Sequence, residues 1–124
     1  MFKDCYVDGP ITGEILKLDA PLSFWGGFDP VTGTIIDINH PQCGQSLKGK
    51  VLALPYAKGS AGTPGAIAEA IRSGVGPAAI LVRDPDANLA TGLTTAAFLY
   101  GTQVPGGQIN LEVYEKLRTG DRLT

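Results

Sequence analysis

Apolar and polar positions along the chain mark out a short series of strands and helices. Ile11 to Leu18 alternates loosely and stops at Asp19–Ala20–Pro21, the pattern of a strand and its end. Leu22 to Asp29 is aromatic and glycine-rich, too irregular for a helix. Pro30–Val31–Thr32–Gly33 reads as a turn, with proline presetting φ and glycine closing it. Thr34 to Ile38 is β-branched and predicts a short strand, and Asn39 to Gln45 predicts a loop. Lys50 to Leu54 is a continuous apolar run ended by Pro55, and Ala78 to Val82 is a second one. Between them Thr63–Pro64 marks a helix start, with threonine at the N-cap and proline at the first helical position. Ala66, Ile67, Ala70 and Ile71 recur at helical spacing, and Gly74 and Gly76–Pro77 end the pattern. Strand, helix and strand over residues 50–82 predict a βαβ unit with parallel, buried strands.

Arg83 to Asp86 predicts turn and cap chemistry. Asn88 to Tyr100 predicts a small-residue helix with Leu89, Leu93, Ala96, Ala97 and Tyr100 on one face and Gly101 as its cap. Gly92 inside it costs about 1 kcal/mol of helix propensity, which points to close packing. Val104–Pro105 predicts a short extended piece before Gly106–Gly107, and Asn110 a cap for a last helix from Leu111 to Leu117.

The chain has 124 residues, which predicts one domain over residues 1–124 with a core that needs no disulfide or metal. Ten basic and twelve acidic residues give a net charge of -2, so no basic stripe exists to bind nucleic acid. No apolar run approaches the ~18 residues of a membrane span, and the start of the chain does not read as a signal peptide. Cys5 and Cys43 read as two free thiols of a cytoplasmic protein. Two thiols and the single histidine, His40, supply neither an iron–sulfur cluster nor a typical zinc site, so no metal is expected in this chain.

The richest candidate segment is Tyr56 to Gly65, which leaves the carboxyl end of a buried strand and enters a helix. Ligands bind at that position in open α/β sheets. The helix start favours carboxylate or phosphate, Lys58 adds charge, and Gly59, Gly62 and Gly65 let a ligand approach the backbone. Ser60 places a hydroxyl beside this positive end, and Thr63 stands at the helix start. The spacing matches neither a P-loop nor a dinucleotide fingerprint. It fits both a plain glycine-rich connection and an anion site. His40 reads either as a loop histidine bonded to backbone or as a proton donor or substrate contact. Trp25, beside Phe24, Phe28 and Gly26–Gly27, suits packing, and aromatic residues also anchor protein interfaces.

The block Pro21 to Gly33 with Trp25–Gly26–Gly27 and Asp29, then Ile35–Ile36–Asp37 and His40–Pro41–Gln42, resembles the signature of the aconitase X small-subunit, or swivel-domain, family. The match continues through Lys58–Gly59–Ser60, the helix at Ala66 to Arg72 and Pro77 to Leu81, covering roughly Gly13 to Gly101. The resemblance implies an α/β fold, a swivelling β/β/α domain like the mobile domain of aconitases. It implies dehydration of a hydroxy acid of the phosphomevalonate or cis-3-hydroxyproline type by a heterodimeric hydro-lyase. The iron–sulfur cluster would lie in a partner large subunit. Ser60 takes the position of the family's proposed catalytic base, with Lys58, Gly59, Gly62 and Thr63 around the substrate. Trp25, Gly26, Gly27, Asp29 and His40 are expected to face the partner. Where many members carry further serines, this chain has Ala61–Gly62–Thr63–Pro64–Gly65.

Two other readings compete with a dehydratase small subunit. Swivelling domains also serve as phosphohistidine carriers, for which His40 is the one possible acceptor. The chain can also be a non-catalytic assembly subunit in which Ser60 has only a structural role.

Overall fold

The computed structural model describes residues 2–59 and 62–123. Ser60 lies outside the described residues. The elements in chain order are β1 (Phe2–Val7), β2 (Gly13–Lys17), β3 (Phe28–Asp29), β4 (Thr34–Ile35), β5 (Val51–Leu54), α1 (Thr63–Arg72), β6 (Ala79–Val82), α2 (Ala87–Tyr100), β7 (Gly106–Ile109), α3 (Leu111–Lys116) and β8 (Arg122–Leu123).

Six strands form one sheet in the order β1-β7-β6-β5-β2-β8. The four inner strands run parallel, and β1 and β8 close the edges antiparallel. β5 and β6 are buried along their whole length, as parallel strands covered on both faces must be. Side-chain alternation then divides the core in two. Leu16, Leu52, Leu54, Ile80 and Val82 point to the face that carries α1, α2 and the β3–β4 hairpin. Ile15, Val51, Ala53, Ala79 and Leu81 point to the opposite face, under Tyr114 and Leu117. The expected βαβ unit is β5–α1–β6, and β3 and β4 form a separate two-stranded pair.

Several boundaries move for physical reasons. The strand expected over Thr34 to Ile38 stops at Ile35, because the Ile36 and Asp37 amides both donate to the Gly27 carbonyl, at 3.0 and 3.3 Å, and leave the ladder. The helix cap is Gly62, not Thr63, and Thr63 is the first helical residue. Tyr100 is 44% exposed and does not share the buried face of Leu89, Leu93 and Ala96. The extended piece expected at Val104–Pro105 is followed by a strand, β7, which begins with Gly106 and Gly107. Their place in the sheet rests on space: a Cβ on Gly106 would collide with the Leu93 side chain, and one on Gly107 with the Asp4 carbonyl. Gly92 is closely packed as expected, since a Cβ there would stand 2.9 Å from Ile67 Cβ. Among the described residues no helix is long and apolar enough to cross a membrane.

Candidate functional site

Chain leaving the carboxyl end of β5 bends at Pro55 and crosses over Leu22. Ala57 pairs with Leu22 in an isolated parallel bridge, and the Lys58 amide donates to the Leu22 carbonyl at 3.0 Å. Lys58 and Gly59 are exposed. Gly59 has φ +132°, a conformation other residues rarely adopt, and a Cβ there would press within 2.8 Å of Thr63 Oγ1. Glycine is therefore required at that position. The α1 helix follows with no acidic residue in its first turn, so the partial positive charge of its amino end is not neutralised locally. Thr63 is fully buried, and its Oγ1 has no hydrogen-bond partner among the described residues. Buried hydroxyls are normally satisfied, which makes Thr63 an unusual side chain at this point.

The Trp25 block meets this loop from the other side. Ser23 Oγ donates to the Trp25 carbonyl at 2.7 Å, and the Gly27 amide donates to the Ser23 carbonyl at 3.0 Å, closing a tight turn. A Cβ on Gly27 would lie 2.7 Å from that same carbonyl, and Gly26 has φ +99°, so both glycines are needed to make the turn. The turn presents Trp25, 68% exposed, with its ring against Gly62 at the mouth of α1. A groove of about 570 Å³ results, with Phe24, Trp25, Phe28 and Pro30 on one wall and Gly62, Gly65 and Ala66 on the other. Ser23 also closes on the loop, its Oγ 3.6 Å from the space a Cβ on Gly59 would fill. Sequence reasoning did not single out Ser23, which reaches the loop only through the turn.

The expected site residues thus divide. Trp25 and Gly26 are exposed beside the loop of Lys58, Gly59, Gly62 and Thr63. Gly27 is buried, so it shapes the turn and does not face a partner. Asp29 accepts the Val31 amide at 2.8 Å and holds the β3–β4 turn. That bond keeps its carboxyl below the usual range. His40 is turned inward, 6% exposed. Its Nδ1 accepts the Gln42 amide at 3.0 Å, which leaves the proton on Nε2, 3.1 Å from the Ala20 carbonyl. Both nitrogens are occupied by backbone, so the backbone-bonded reading of His40 holds. A phosphohistidine role and a place at the partner surface are both withdrawn for it.

Cys5 and Cys43 are free thiols at exposed positions. Among the described residues no three His, Cys, Asp or Glu side chains come together as a metal set. The donor set of this chain does not fit an iron–sulfur cluster, and no step of the chemistry is routed through one here.

A family model described as the aconitase X swivel domain matches residues 2–124. The cis-3-hydroxy-L-proline dehydratase of Pseudomonas aeruginosa is 43% identical over 99 residues, 80% of this chain but only 17% of that protein. The phosphomevalonate dehydratase small subunit of Thermococcus gammatolerans is 37% identical over 117 residues, 94% of this chain and 83% of that one. Among solved structures, the crystal structure of Thermococcus kodakaraensis aconitase X in its holo-form matches with a TM-score of 0.82 at 33% identity, over 95% of this chain and 84% of that one.

Proposed function

The chain belongs to the aconitase X swivel-domain family, and on that premise we propose that it is the part of a hydro-lyase that carries the base and the anion contacts for dehydrating a small hydroxy acid. The observation that supports this reading most directly is the meeting of two segments at one mouth: the glycine loop before α1 and the exposed Trp25 turn. An acid's carboxylate or phosphate would sit at the amino end of α1 beside Lys58. Ser60, in the same loop, would take the carbon-bound proton as the hydroxyl leaves. The helix end and Lys58 would stabilise its alkoxide. Relatives of this chain include a protein named as a small subunit and a longer protein named as a dehydratase. The reading therefore assigns the rest of the site, with an iron–sulfur cluster, to a large-subunit partner that covers Trp25 and Gly26. A cytoplasmic location accompanies it, because both cysteines are free.

The test is Ser60→Ala in the assembled enzyme with hydroxy acids of the phosphomevalonate and cis-3-hydroxyproline type. Loss of a positioned base typically costs at least ~10²-fold in turnover, with folding and assembly intact. Turnover within a few-fold of the parent would remove Ser60 from the chemistry and leave an assembly role for the chain.

A further inference from the structure

A buried carboxylate outside the groove ties the candidate loop to a helix. Asp86 is 8% exposed, and each of its oxygens accepts a different backbone amide. Oδ1 accepts Leu89 N–H at 3.0 Å, and Oδ2 accepts Ala57 N–H at 2.7 Å. The Asp86 amide in turn donates to the Tyr6 hydroxyl at 2.9 Å, which fixes the residue from the side of β1. Burial pushes the Tyr6 phenol above its ordinary pKa, so it stays neutral.

The bond to Leu89 is an N-cap of α2. Serine, threonine or asparagine makes the same cap, and none brings a charge into the interior. The bond to Ala57 is unrelated to capping. Ala57 is the last buried residue before the exposed loop, and Leu22 holds it from the opposite side. The exposed Lys58 and Gly59 follow directly from this doubly held point. A residue free to shift at Ala57 would carry Lys58 and Gly59 with it. Two oxygens accepting two amides at separate points is a task for a carboxylate. Asparagine has one acceptor oxygen, and its amino group would oppose the second N–H.

We propose that Asp86 is a positioning residue for the dehydration: it fixes the Ala57 amide and so sets where Lys58, and the loop that Lys58 opens, meets the substrate. The proposal rests on the reading that this loop carries the base.

Asp86→Asn and Asp86→Ser both keep a capping side chain for α2 and remove the second acceptor. In the assembled enzyme each should lower kcat by about 10-fold to 10²-fold, the size of an ångström-scale misplacement, with KM changed much less. Hydrogen exchange should accelerate at the Ala57 amide and not at Leu89, and circular dichroism should show the fold retained in at least one of the two variants. Faster exchange at Ala57 with unchanged kcat would overturn the positioning role. Unchanged exchange at Ala57 would overturn the tether itself. Ser60→Ala is measured alongside: if it keeps full turnover, the reading of the loop fails and the positioning role falls with it, whereas a Ser60→Ala loss with full activity in the Asp86 variants sinks this inference alone.

Discussion

Trp25→Ala separates an interface residue from a core residue, because the structure assigns the ring's area so unequally. Trp25 is 68% exposed, and what is covered lies against Gly62. A tryptophan can bury roughly 200 Å². About two-thirds of that, ~140 Å², is open to a partner, worth ~3.5 kcal/mol at 25 cal/mol/Å² as an upper figure. The remaining third, ~60 Å², supports the chain's own fold by ~1.5 kcal/mol at most. Truncation should therefore weaken association with the large subunit by about 2 kcal/mol or more, close to 30-fold in Kd. Urea unfolding of the chain alone should move by less than that. The assay is titration calorimetry of the two subunits beside a denaturation curve for the variant. Unchanged association with a destabilised chain would refute the argument and make Trp25 a packing residue that happens to show its ring.

Two further substitutions probe the frame of the site. Gly92→Ala gains about 1 kcal/mol of helix propensity, yet its Cβ would stand 2.9 Å from Ile67 Cβ and 3.1 Å from the Pro64 carbonyl. Overpacking of about 1–3 kcal/mol should win, and a rise in Tm would show that α1 and α2 are looser than their contact implies. Thr63→Val replaces a buried hydroxyl that has no partner among the described residues with a methyl group, so the fold should gain about 1 kcal/mol, where removal of a cap would lose it. If KM rises in the same variant, the hydroxyl belongs to bound substrate; a loss of stability in urea would restore the cap.

The legible parts of this chain are those whose environment is uniform. β5 and β6 are buried on both faces, and the continuous apolar runs at Val51–Leu54 and Ala79–Val82 announce it. β1 is an edge strand with one neighbour. Lys3, Asp4 and Cys5 are exposed along it, so no alternation marks it. β8 is two residues long for the same edge reason. β7 is hidden by its own glycines, which are needed for space and carry no strand propensity. At the site, the glycine loop and the Trp25 block were each visible, but their contact depends on a bridge between Leu22 and Ala57, 35 residues apart in sequence. His40 had two readings that only its geometry separates. Asp86 looked like turn and cap chemistry, and its cap is real, but its second amide lies 29 positions away.

The distribution of charge around the loop follows from what such a surface has to do. Interface cores are depleted of charge and rich in aromatic residues, and the walls of the groove carry Phe24, Trp25, Phe28 and Pro30 against glycines and Ala66. Glu69 lines the groove's edge, but Arg72 pairs with it at 2.5 Å, so this acidic group is offset by a cation. Arg72 also holds the Glu69 carboxyl below its ordinary pKa, so the pair stays ionised together. With no acidic residue in the first turn of α1, Lys58 and the helix end set the local sign. The charged group that is buried nearby, Asp86, is engaged with backbone amides on both oxygens and faces away from this task. On the proposed reading, a surface with these properties would receive an anion at one point and an apolar partner around it. In that arrangement a closing partner excludes water and strengthens the field at the helix end.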